Sequence, residues 1–309
     1  RGVLIAAREN YDLIFCTSTP LTAGIPGIIA KLFRRKKFVF EVRDLWPELP
    51  KAMGVVKNPI ILKFMDLLES YTYMSANACI GLSPGIIQGI LKKQKNKPVA
   101  MIPNGSDLDI ALDQSNNKEN SKFIAVFTGA HGLANGLDNV LNAAKELIKN
   151  RNNNIEIHFI GDGGLKNKLI ERVKKEKIIN CKFIDPMPKA ELFNYINQNA
   201  NLGLMVLENV PAFYFGTSPN KFFDYISLGI PVINNYPGWI SNIIIESDCG
   251  VFVEPDNPIA FSNAMVELSK NSEKTKRMSL NALELAKNTF NRDKLSIEFV
   301  EFLENVYKD

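Results

Sequence analysis

The sequence predicts an α/β protein of two doubly wound, Rossmann-like domains facing across a cleft. Three observations carry that expectation. The chain has 309 residues, more than the roughly 250 to 300 at which a single hydrophobic core stops growing, so two cores are expected. Short β-rich runs alternate with runs of helical spacing almost throughout, the pattern of parallel sheets covered by helices on both faces. The polar stretch "DQSNNKENS", residues 113–121, has no periodicity and divides the alternation in two, as an interdomain linker would. The expected parts are residues 1–115, residues 116–290 and a C-terminal helix, residues 291–309. That helix needs a partner surface for the apolar face of Leu295, Phe299, Phe302 and Leu303.

The elements follow in order. "DLIFCTS" and "KFVFEV" read as strands around the helical "LTAGIPGIIAKLF", and "ANACIGLS" and "PVAMIPN" bracket "PGIIQGILKK" in the same way. The second series starts at residue 122 with strand "FIAVFTG" and helix "LDNVLNAAKELIKN". Strand "IEIHFIG", helix "LKNKLIERVKKE", strand "CKFID", helix "KAELFNYINQNA" and strand "LGLMVL" continue it. A helix from Pro219 to Leu228 comes next, with Ser218 as its cap, Pro219 in its first turn, and Gly229 and Pro231 as its stop. Three helical runs close the chain from about residue 257.

Composition excludes several functional classes. Hydrophobic content of 46% and charged content of 23% suit an ordinary globular chain, and no apolar run approaches the roughly 20 residues of a membrane helix. Cys16, Cys79, Cys181 and Cys249 are far apart and, with two histidines, give no zinc-type spacing; they read as reduced thiols of a cytoplasmic protein. A net charge of +4 without interleaved aromatic and basic residues sets nucleic acid aside as a partner. The run "KLFRRKKF", residues 31–38, reads as a solvated helix end. The second reading, behind that one, is a peripheral contact with the inner membrane face through Lys31, Arg34, Arg35, Lys36, Lys37 and Phe33, at about 1 kcal/mol per cation. The opening has no initiator Met and is polar at "RENYDL", so a segment upstream is expected.

Doubly wound sheets bind ligands at the carboxyl ends of their strands, so the informative loops follow strands. "GAHGLANG", residues 129–136, and "GDGG", residues 161–164, are glycine turns into helices, which suit close approach of a phosphate or are simply tight turns. "FYFGTSPNKFFDYISLGIPVI", residues 213–233, places Lys221 and Asp224 one helical turn apart, able to present a cation and a carboxylate to one ligand. A surface Lys–Asp pair accounts for the same residues. In "FEVRDLWPE", Arg43 and Asp44 end a strand, either facing a ligand or forming a structural ion pair. Asp107 and Asp109 in "PNGSDLD" are not read as a metal site, for want of further hard ligands, and His158, alternating within an apolar strand, is read as core.

Taken jointly and in this order, "YDLIFCTSTPLTAGIPGIIAKLF", "FVFEVRDLWPELP", "LSPGI", "IPNGSDLD", "FTGAHGLANGLDNVLNAA", "FIGDGG" and "SPNKFFDYISLGIPVI" resemble glycosyltransferase family 4, of GT-B architecture. The resemblance is to its bacterial surface-polysaccharide branch, which includes the fucosamine transferases. It implies a first domain lacking about 80 to 100 residues, and a C-terminal helix, residues 291–309, that crosses back onto that domain. It also implies retaining, metal-independent transfer, without a cofactor, from a nucleotide diphosphate sugar, UDP-linked in expectation. The acceptor would be a glycan or polyprenyl-linked one of lipopolysaccharide, O-antigen or capsule assembly.

The family's two carboxylates, with seven residues between them, fall on Gly216, where the carboxylate is missing, and on Asp224, placed to hold the ribose. Its diphosphate-clamping Arg and Lys fall on Ala130 and Asn135, so the diphosphate is left to Lys221, to His131 and to loop amides of residues 131–133. The implied donor set is Gly129, His131 and Gly132; Gly161, Asp162 and Met187; and Gly216, Thr217, Ser218, Asn220, Lys221 and Asp224. Arg43 and Asp44 are the implied catalytic pair. A nucleotide-sugar epimerase of the same architecture and a non-catalytic nucleotide-sugar binder are the rival readings, the first weakened by the scarcity of histidine.

Overall fold

Alternating apolar strands and amphipathic helices build two parallel sheets in this chain, each in its own unit. The computed structural model describes residues 1–109 and 122–308; the expected linker, residues 113–121, lies outside the described residues. One unit comprises Arg1–Asn104, Val210–Ser218 and Asp293–Asp309, the other Gly105–Asn209 and Pro219–Arg292. This differs from a single division near residue 115, because the segment 210–218 returns to the first unit. The Asn104 amide donates to Ser218 Oγ at 3.2 Å, and the Gly85 backbone lies so close to the Phe215 carbonyl that a Cβ there would collide with it.

In the first unit β1 (Leu13–Thr17), β2 (Lys37–Val42), β3 (Ala78–Gly81) and β4 (Val99–Met101) lie side by side in that order, all parallel. Successive residues of β2 serve opposite faces, as strand geometry requires. Phe38, Phe40 and Val42 join Ile28, Tyr73, Ile86 and Ile90 from the helices Gly24–Arg34, Pro59–Ser75 and Pro84–Lys93. Val39 instead joins Ala78 and Ile80 under the C-terminal helix Arg292–Lys308, whose Leu295, Phe299, Phe302 and Leu303 pack there. The Phe299 ring meets Phe15 edge-on at 5.1 Å. Burying each such side chain contributes about 1.5–3 kcal/mol, which is why an otherwise polar helix ends on this sheet.

The second unit holds β5 (Phe123–Thr128), β6 (Ile155–Ile160), β7 (Cys181–Ile184), β8 (Leu202–Met205), β9 (Val232–Asn234) and β10 (Gly250–Phe252). Their order is β10-β9-β8-β5-β6-β7, all parallel. β5 lies centrally, and its Ala125, Val126 and Phe127 are fully buried, as a strand covered on both faces must be. The strand order reverses between β5 and β8, the kind of switch point at which open α/β sheets leave a crevice at their carboxyl ends. Among the described residues no helix is long and apolar enough to cross a membrane.

Candidate functional site

The loops that follow β5 and β6 are zipped together by backbone hydrogen bonds. Gly129 donates to Ile160 O at 3.0 Å, His131 to Asp162 O at 2.8 Å, and Leu165 to His131 O at 2.9 Å. Gly161, at φ +143°, has no room for a side chain, because a Cβ would strike the Gly129 carbonyl; Gly163, at φ +155°, meets His131 in the same way. These glycines are therefore required by backbone approach. A Cβ on Gly132 would meet nothing within 4 Å, so that loop has an open side.

Facing this loop is the helix Asn220–Ser227. It is one residue shorter at each end than expected. Pro219 occupies the cap position without a side-chain hydrogen bond, and Ser218 does not cap, since its hydroxyl is engaged by Asn104. Tyr225 pins the helix to the end of β5. Its hydroxyl accepts from Thr128 N at 3.0 Å and donates to Val126 O at 3.1 Å, and its ring lies where a Cβ on Gly203 of β8 would be. No sequence signal singled out Tyr225, although a buried tyrosine needs such partners.

That anchoring sets Lys221 at the mouth of the glycine loop. Its Nζ donates to Asn135 Oδ1 at 3.1 Å and lies 4.0 Å from the centroid of the Phe127 ring; a Cβ on Gly129 would be 3.6 Å from it. Lys221 is half-buried with no carboxylate partner among the described residues, and burial pushes its pKa down to about 7. An ammonium with one neutral acceptor and one ring face is a cation still short of an anion.

Asp224 does not pair with Lys221. Its Oδ1 meets Lys189 Nζ at 3.1 Å, and Lys189 also holds Asp107, which is bound in turn by Arg292. Burial raises the Asp224 pKa against the opposing pull of Lys189. Asp107 is also raised by burial, but Lys189 and Arg292 hold it below the ordinary carboxylate range. Asp107 is thereby paired with two cations. Among the described residues no group of three or more His, Cys, Asp or Glu side chains is arranged to hold a metal ion. Lys189 went unnoticed in the sequence because it lies 35 positions from Asp224.

The His131 ring is a correction. It is fully buried among Phe127, Phe159 and Phe183, with centroid distances of 6.0, 6.4 and 5.9 Å, so it offers no side chain to a ligand. Its amide is also committed, to Asp162, which leaves the open part of the loop at Gly132. Neither ring nitrogen has a hydrogen-bond partner among the described residues, and burial, with Lys166 adding to it, lowers the pKa. An unsatisfied buried polar group costs about 1–3 kcal/mol. His131→Leu is therefore expected to raise the melting temperature by several degrees while leaving nucleotide affinity unchanged; thermal denaturation that shows a fall would mean the nitrogens are satisfied in solution.

Gly161 and Asp162 lie in the zipped loops, where the Asp162 carboxylate accepts from Gly163 N at 2.8 Å; Met187 follows β7. Gly216, Thr217 and Ser218 fall in the first unit, where a Cβ on Gly216 would meet nothing within 4 Å and Thr217 Oγ1 donates to Phe213 O at 3.0 Å.

Arg43 and Asp44, also in the first unit, do not pair with each other in the expected way. Arg43 Nη1 lies 3.7 Å from Glu41 Oε2, which also accepts from Thr17 Oγ1, while Asp44 accepts from Thr19 Oγ1 at 3.0 Å. Burial raises the Asp44 pKa, with Thr19 and then Arg43 opposing it. Glu41, in β2 two positions before Arg43, is a further residue the sequence reading missed. In the basic run, Lys31 donates to Asn77 Oδ1 at 2.9 Å, Arg34 to the Ala7 carbonyl, and Lys36 stands 5.8 Å from the Tyr11 ring centroid. His158 is a core residue, bonded to Tyr195 Oη at 2.8 Å and to Glu156 at 3.2 Å.

Residues 109–285 match the family described as Glycosyl transferases group 1. A probable glycosyltransferase, WbjE of Pseudomonas aeruginosa, is 24% identical over 283 residues, which cover 87% of this chain and 66% of WbjE. The chain thus spans slightly less than two thirds of that relative's length. Among solved structures, sucrose-phosphate synthase of Thermosynechococcus elongatus superposes with a TM-score of 0.78 at 15% identity, covering 99% of this chain and 76% of the other. HepE of Anabaena in complex with UDP gives 0.76 at 14% identity, covering 98% and 80%. WaaG, a glycosyltransferase involved in lipopolysaccharide biosynthesis, gives 0.67 at 14% identity, covering 96% and 94%.

Proposed function

The chain belongs to the Glycosyl transferases group 1 family, and from that premise we propose that it is a glycosyltransferase using a nucleotide diphosphate sugar, in first place a UDP-sugar. The observation that carries this reading is Lys221, half-buried beside Gly129 with no carboxylate partner among the described residues, at the start of a helix at the carboxyl ends of the strands. Helix starts and glycine loops favour anions, and a diphosphate supplies the charge Lys221 lacks.

In the reaction so read, the bond between the sugar's anomeric carbon and the phosphate oxygen breaks, an acceptor hydroxyl oxygen bonds to that carbon, and the hydroxyl proton leaves with the diphosphate. The electron pair stays on the diphosphate, where Lys221 and the amides of Gly132 and Asn220 meet the charge. Asp224 accepts the ribose hydroxyls. The reading extends to retention of anomeric configuration, to independence of metal and cofactor, and to a glycan or polyprenyl-linked acceptor in lipopolysaccharide, O-antigen or capsule assembly. It places the protein in the cytoplasm with a peripheral membrane contact through residues 31–38. WbjE, a probable glycosyltransferase, supports the transferase part, and WaaG, a glycosyltransferase involved in lipopolysaccharide biosynthesis, supports the lipopolysaccharide part.

Millimolar UDP is expected to raise the melting temperature, as any ligand selective for the native state does. A panel of UDP-, GDP- and TDP-sugars, assayed for nucleotide release in EDTA, tests donor and metal together. No thermal shift with any nucleotide diphosphate would refute the donor site; release that appears only with added magnesium would refute metal independence.

A further inference from the structure

The helix Pro59–Ser75 of the first unit has its polarity reversed for a surface helix. Its inward face carries Glu69, Thr72 and Tyr73, all buried, with Glu69 accepting from Trp46 N at 2.8 Å and from Tyr73 Oη at 2.7 Å. Its outward face carries Ile60, Phe64, Leu67, Tyr71 and Met74, each 41% to 68% exposed. An outer face of this kind over four turns belongs under another surface, and nothing among the described residues covers it.

The spacing says what that surface is. The five residues step by four, three, four and three, the 3.5-residue repeat of a coiled-coil seam, and fall within about 40° of one line along the helix. A helix that lies on a lipid surface is rich in Lys and Arg, whereas this one has Lys63 against Asp66 and Glu69. The seam is complementary to itself when antiparallel. With Leu67 on a twofold axis, Ile60 meets Met74 of the second copy and Phe64 meets Tyr71 of the second copy, an aromatic pair, and the two helix dipoles lie head to tail. With Ile61, 49% exposed, six side chains supply roughly 600 Å² per copy and about 1,200 Å² for the pair, enough for a specific interface of the smaller kind.

We infer that this face is covered by a second copy of the chain, in an antiparallel homodimer through Pro59–Ser75 with Leu67 at its centre. The inference is independent of the donor reading, since none of these residues belongs to the glycine loops or to the helix that carries Lys221.

Sedimentation velocity of the full-length protein, with cysteine cross-linking, tests it. The parent should sediment as a dimer at about 100 μM, a concentration at which even a weak specific interface is largely filled. Leu67→Glu sets two like charges against each other on the axis and should weaken the dimer about 100-fold or more. Because Leu67 is exposed, the circular dichroism spectrum of that variant should match the parent's. Leu67→Cys should oxidise to a disulfide-linked dimer, while Ile60→Cys should not, because the antiparallel pair holds the two positions 60 about 20 Å apart along the axis. The parent, with its four free cysteines, is the control. A parent still monomeric at that concentration, a dimer indifferent to Leu67→Glu, or equal cross-linking at positions 60 and 67 would overturn the inference. Binding of a monomeric parent to phosphatidylglycerol vesicles, lost in Leu67→Glu, would assign the face to lipid instead.

Discussion

Asp224→Asn should weaken UDP binding about 10- to 150-fold while the fold stays intact. The side chain is mostly buried, at 17% exposed, and Lys189 meets Oδ1, which leaves the other carboxylate oxygen for ribose hydroxyls. Loss of a charged partner to such hydroxyls costs about 1.5–3 kcal/mol, which converts to that factor. An amide keeps the shape but accepts fewer hydrogen bonds. Lys189 retains Asp107 in the variant, and Asp107 retains Arg292, so no cation is stranded. Asp224→Ala should be at least as severe. Calorimetry of UDP against the parent and both variants decides it; unchanged affinity with an unchanged melting temperature would make Asp224 a structural partner of Lys189 and nothing more.

Lys221→Met should cost a similar factor in UDP affinity and, in addition, flatten its pH dependence. With a pKa near 7 in the free protein, Lys221 is largely neutral at pH 8, and the diphosphate must restore its proton on binding. Parent affinity should therefore fall from pH 7 to pH 9, by up to about tenfold per unit, with net proton uptake. The nucleotide's own phosphate titrates near pH 6, below this window. The stability effect has the opposite sign. Between about 7 and the unfolded lysine value of about 10.4 the unfolded chain binds more protons, so native stability rises with pH there, and Lys221→Met removes that slope. Titrations in buffers of different ionisation heat read the uptake directly; a parent profile as flat as the variant's would refute a neutral Lys221.

The two sheets were legible because strands buried on both faces read as apolar runs, and "FIAVFTG" is unbroken for that reason. The helix carrying Lys221 was legible to one residue at either end because Gly229, at φ +63°, and Pro231 close it by local chemistry. Its start was misread because Ser218 is claimed by Asn104, a partner 114 residues away that no local pattern reveals. The helix Pro59–Ser75 went unread although Asn58, accepting from Ile60 N at 2.9 Å, and Pro59 announce it. The buried ring of His131 was hidden by its loop: a histidine among glycines suggests a ligand, and only the three phenylalanines from β5, β6 and β7 show that it faces the core. The same holds for Lys189 and Glu41, whose roles depend on pairings set by the sheet.

A crystal structure of this protein with UDP would read the position of the diphosphate itself. The expected result is a β-phosphate within hydrogen-bond distance of Lys221 Nζ and of the Gly132 or Asn220 amide, with the ribose hydroxyls on Asp224. A nucleotide held elsewhere, or one lying at this loop with Lys221 still turned to Asn135 and Phe127, would contradict it.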